Sequence, residues 1–110
     1  MIGVAAAPFR QWPWTPLPVP LGGPNFIELP DGSLVAGSRG FGRTPGPHMV
    51  LYKMTKTGVE PLLELPSAGD CSYPGLVWHE GHLHVSYYSS HEGKSAIYHA
   101  RVRLPWVREP

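Results

Sequence analysis

The chain has one cysteine, Cys71, so no disulfide can form within it. Charge is scarce too. Charged residues make up 15% and the formal net charge is +1, which leaves no basic field to grip a phosphate backbone and excludes nucleic acid as an expected partner. No apolar run approaches the 18 or so residues that a membrane-spanning helix needs. The opening "MIGVAAAPFR" lacks a basic leader and soon meets "QWPWTPLPVP", so it does not read as a secretory signal. Nor does any long segment repeat its apolar residues every 3.6 positions between caps, so helices are expected to be nearly absent.

Proline and glycine are plentiful, at 14 and 13 of 110 residues. They fall between short apolar runs, where turns belong, and punctuate a β protein. Two stretches repeat. "IELPDGSLVAGSR" (27–39) and "LVWHEGHLHVSYY" (76–88) superimpose when Asp31-Gly32 is set over Glu80-Gly81. Ile27 then meets Leu76, Leu34 meets Leu83 and Gly37 meets Ser86. Each reads as strand, acidic-Gly turn, strand. Asp-Gly is a strong hairpin signal because glycine accepts positive φ without a Cβ clash. "HMVLYKMT" and "SAIYHARV" align on Tyr52 and Tyr98 as third strands, and "GVEPLLELP" supplies a fourth strand to the first unit. A meander repeating every 40–50 residues or so has the period of a β-propeller blade.

The expected fold is therefore all-β: four-stranded antiparallel meanders of propeller type, about two blades of a larger propeller. Residues 1–23 form a Pro-rich lead that ends a preceding blade, with "WTPLPVPLG" as its outer strand. Residues 24–68 form blade one, 69–105 blade two and 106–110 a tail. Two blades cannot close a ring, and each bares an apolar face unless a neighbour covers it. The remaining blades of a longer protein, or self-association, are expected to cover those faces, which makes the chain a fragment from the end of a propeller.

The run "SYPGLVWHEGHLHVSYY" resembles the sialidase (neuraminidase) superfamily of six-bladed propellers, in which a tyrosine after a small residue starts an inner strand. The resemblance spans residues 26–105. It implies a glycoside hydrolase, or a carbohydrate-binding relative, acting on a glycan or a sialic-acid-like small molecule without a cofactor or metal. Sialidases use a tyrosine nucleophile, a glutamate that draws off its proton, three arginines for the sugar carboxylate and an aspartate as general acid. Tyr73 takes the nucleophile's position; the alternative is a ring that lines a pocket or fills a strand entrance. Arg39 and Arg43 flank "GFG" as candidate carboxylate binders or as solvated loop arginines. Tyr88, a further substrate-binding candidate, stands where the glutamate is expected, and His48 is nearest to the last arginine. Glu92, in "HEGK", is a candidate for the pocket rim or part of a polar turn. The Asp-box is missing, and the chain alone is expected to be inactive. A non-catalytic module that binds carbohydrate or protein is the other reading. His79, Glu80, His82 and His84 crowd one turn, yet no tight Cys/His ligand spacing accompanies them; they read as turn residues and no metal is assigned. Trp78 is expected in the core.

Overall fold

The computed structural model describes residues 22–41, 45–55, 58–68 and 70–107, with the side chain of residue 41 left aside. These residues are all-β and contain no helix. Seven strands run in order: β1 (Gly22–Glu28), β2 (Leu34–Phe41), β3 (Pro47–Thr55), β4 (Gly58–Glu64), β5 (Ser72–His79), β6 (His82–Ser89) and β7 (Ala96–Val102). They form two antiparallel meanders, β1-β2-β3-β4 and β5-β6-β7. The first has the four strands expected. The second has three among the described residues, because its chain turns at Leu104–Val107, where Val107 N–H donates to the Leu104 carbonyl (3.1 Å). Pro105 within that turn has no N–H to offer a ladder. The lead "WTPLPVPLG" (14–22) lies outside the described residues apart from Gly22, as does Trp12 before it.

The sheets pack face to face. Leu29, Val35, Met49, Leu51 and Leu65 of the first interlock with Leu83, Val85, Tyr87, Val102 and Leu104 of the second. Val35, Leu51, Leu83 and Val85 are fully shielded from solvent, and burying such a side chain contributes about 1.5–3 kcal/mol. Trp78 and Trp106 pack partly buried against this core. Trp106 ties the tail to the first sheet: its Nε1 donates to Ser33 Oγ (3.2 Å) and Lys53 Nζ lies 5.0 Å from its ring centroid. β5 packs beside β1 and β2. The first strands of the two meanders thus lie together.

The two hairpins differ. In the second, Glu80 (φ 49°) and Gly81 (φ 78°) make a two-residue loop with both residues left-handed, the turn that suits the twist of the flanking strands. In the first, Leu29 N–H donates to the Ser33 carbonyl (2.8 Å) across a three-residue loop, Pro30-Asp31-Gly32. Pro30 has no N–H to close a tighter turn. The extra residue shifts β1 by one position relative to β5. Ile27 lies opposite Val35, and Val77 lies opposite His84. Ile27 therefore corresponds to Val77 and not to Leu76, as the sequence alignment has it. On the third strand, Leu34 pairs with Met54 and Leu83 with Val102. Tyr52 corresponds to Ala100, and Tyr98 to Val50, two residues from the sequence alignment. A shift of two keeps the face of a strand, whereas a shift of one reverses it.

Candidate functional site

One end of the paired sheets carries the start of β1, the end of β2, the start of β5 and the end of β6. The first strand of each meander is bulged there, β1 between Gly22 and Asn25 and β5 between Ser72 and Gly75. The bulges correspond, and within them Gly23 corresponds to Tyr73. Gly23 has φ 58° and Tyr73 has φ 53°. The same left-handed kink thus opens both strands, with glycine at one and tyrosine at the other. A bulky residue in that region is an outlier and costs on the order of 1–3 kcal/mol. The Tyr73 ring is not held by burial, since the residue is 73% exposed.

The strands meet closely at the kinks. A Cβ at Gly23 would fall 2.7 Å from Ser72 Cβ and 3.2 Å from Tyr73 N, so glycine is required there for contact as well as for φ. Asn25 Nδ2 donates to the Pro74 carbonyl (2.9 Å), which locks β1 to β5. The Pro74 ring packs over Gly37, where a Cβ would meet its Cγ at 2.9 Å. Arg39 is exposed, and its guanidinium lies over Gly22, with Nη2 2.9 Å from where a Cβ would stand. Successive residues, Gly22 and Gly23, therefore carry Arg39 on one side and Ser72-Tyr73 on the other. The structure brings these two predicted site residues to one rim.

Tyr88 lies opposite Ser72. Its hydroxyl shares a hydrogen bond with Ser72 Oγ (2.8 Å) and donates to Asp70 Oδ1 (3.2 Å). The residue in the glutamate's place is thereby tied to a buried serine and an exposed aspartate. Glu92 is held elsewhere: it accepts a hydrogen bond from the Tyr98 hydroxyl (2.5 Å) on β7, two strands from β5. Tyr98 packs against His91 (ring centroids 4.6 Å apart) and Tyr87 (5.8 Å). The Glu92 carboxylate bonded to its hydroxyl pushes the Tyr98 pKa up. Arg43 lies outside the described residues.

His48 is turned inward, its Nδ1 2.6 Å from the Ser67 carbonyl and its Nε2 3.4 Å from Glu64 Oε1. It fastens the start of β3 to the chain after β4. Cys71 is fully buried beside the rim; burial pushes its thiol pKa up, while a hydrogen bond with Ser67 and the charge of Arg39 oppose the rise. His79 and Glu80 are exposed at the β5–β6 turn, with His79 Nε2 3.5 Å from Glu80 Oε1. Among the described residues, no three or more His, Cys, Asp or Glu side chains are placed to hold a metal ion together.

Asn25, Asp70 and Ser72 were not anticipated as parts of the rim. The Gly22-Gly23 pair is the sequence signal that points to them, since adjacent glycines at a strand's start mark a bulge or a close backbone approach. What the rim offers chemically is a guanidinium, an exposed phenol and a hydroxyl–carboxylate chain on two adjoining strand ends. No protein-family model matches the chain, and no curated protein or solved structure shows significant similarity to it.

Proposed function

We propose that the chain is part of a sialidase-like propeller and that its rim binds a carboxylate-bearing sugar through Arg39 and Tyr73. The observation that carries this reading is the pair of matching kinks. Glycine serves at the kink of β1, yet β5 places a strained, exposed tyrosine at the same point. Strain of that kind persists where the surroundings over-determine it, and it clusters at binding and catalytic sites. Arg39 supplies a planar fork that matches a carboxylate bidentately. An aromatic ring beside it gives an apolar sugar face a surface to stack on.

Binding is favoured over hydrolysis for this chain. Where the resemblance leads one to expect a glutamate beside the nucleophile, Tyr88 is bonded to Ser72 and Asp70. A tyrosine nucleophile needs a base beside it to take its proton, and Tyr88 is not one. The test is a chemical-shift titration of the chain with the methyl glycoside of N-acetylneuraminic acid, against methyl galactoside as a neutral control. The acidic sugar is expected to shift the amides of Gly22, Arg39 and Tyr73 selectively. Arg39→Ala should remove the response and Tyr73→Phe should keep it. A fluorogenic sialoside should stay uncleaved. Equal responses to both sugars, or none at the rim, would sink the proposal.

A further inference from the structure

A second cluster lies on the other side of the second sheet, on the face turned away from the first. There Val77, His84 and Arg101 stand side by side across β5, β6 and β7, followed by Ser86 opposite His99. His84 Nδ1 and His99 Nε2 face each other at 3.0 Å, with their rings 11° from parallel. In that contact one ring nitrogen donates and the other accepts. The corresponding positions on the first sheet are Val35 and Leu51, both fully buried. The fold itself therefore does not call for polar side chains at these points.

We propose that His84 and His99 together chelate one divalent transition-metal ion of the kind imidazole suits, such as zinc or nickel. Two imidazole ligands at about 2.0–2.1 Å and a tetrahedral angle stand roughly 3.3 Å apart. The nitrogens are within a few tenths of an ångström of that span, but they face each other nearly in line, so each ring turns by roughly 35° to aim its lone pair at a common ion. Binding needs both facing nitrogens bare. The shared proton moves to the far nitrogen of its ring, so two neutral imidazoles coordinate without net proton loss. Two ligands leave two positions to water or to a donor from another molecule. The His79 ring, 6.1 Å from that of His84, stands outside the pair. Arg101, opposite His84, weakens cation binding through its charge and is exposed enough to swing away. The site is separate from the rim and does not depend on the sugar; it does require that this face of the second sheet stays open to solvent, as it is in this chain.

The test uses the untagged full chain. Nickel added in substoichiometric amounts should broaden the ring signals of His84 and His99 before those of His48, His82 and His91. Calorimetry with zinc should give one ion per chain. His84→Gln and His99→Gln should each weaken binding at least about tenfold, while His91→Gln leaves it unchanged and Arg101→Gln strengthens it. Broadening that starts at other histidines overturns the proposal, as does zinc binding that survives either glutamine variant. The broadening pattern needs no variant, so misfolding cannot blur the result.

Discussion

The same face of the two sheets carries opposite chemistry. On the first sheet it presents Ile27, Val35, Met49 and Leu51 to its neighbour, and the last three are fully buried. The corresponding face of the second sheet presents Val77, His84, Ile97 and His99, with Val77 59% and Ile97 77% exposed. Backbone geometry is shared; side chains decide which face receives another sheet. Apolar residues at the two central positions make a face that must be covered. Histidines there make a face that water tolerates, with Val77 and Ile97 as its apolar remainder.

Exchanging those central residues breaks the comparison most directly. Val35→His puts an imidazole at a fully buried position among Leu51, Leu83 and Val85. Without a hydrogen-bond partner it should cost about 3 kcal/mol. The reciprocal His84→Val should change stability by no more than about 0.5 kcal/mol, while self-association increases because the exposed apolar patch grows. Urea unfolding followed by tryptophan fluorescence, with sedimentation alongside, measures both. Similar losses from the two changes would mean that the outer face of the second sheet is not free.

The kinks give a comparison of intermediate size. Tyr73→Gly should stabilise the fold by about 1 kcal/mol, because the strain at φ 53° disappears. Gly23→Ala should destabilise it by about 1–3 kcal/mol, because its Cβ would fall 2.7 Å from Ser72 Cβ at a left-handed φ. A stabilised Tyr73→Gly protein that no longer responds to the acidic sugar would separate binding from folding at this residue. Were Tyr73→Gly destabilising instead, the ring would be a structural prop.

Several features were legible in the sequence because their causes are local. Gly32 and Gly81 marked the hairpins, alternating apolar residues marked the strands, and Trp78 was rightly placed against the core. The pairing of Ile27 with Leu76 failed because Pro30, not the Asp-Gly pair, decides the length of the first loop. One extra residue reversed the face on which β1 residues correspond to those of β5. Glu92 could be read as a rim residue from its loop, but its hydrogen bond to Tyr98 depends on where β7 lands. The match between Gly23 and Tyr73 was hidden too, since it appears only once the strand registers are known.

The smallest effect lies in the two turns. The Glu80-Gly81 loop has its two left-handed residues, with His82 Nδ1 3.1 Å from the Glu80 carbonyl. The first turn adds a side chain: Asp31 Oδ1 accepts from Ser33 N–H (3.0 Å) and Ser33 Oγ–H (2.6 Å). Those bonds, the hydroxyl's first, hold the Asp31 carboxyl below its ordinary pKa of 3.8. A depressed folded-state pKa contributes stability that is present above the unfolded value and is lost as pH falls through the folded value. Asp31→Asn should therefore lower Tm slightly at pH 7, and the deficit should shrink as pH falls below about 3.8. Thermal unfolding of both proteins across that range measures it. A deficit that stays constant with pH would mean that Pro30 and Gly32 hold the turn by backbone geometry and that the carboxylate adds nothing to it.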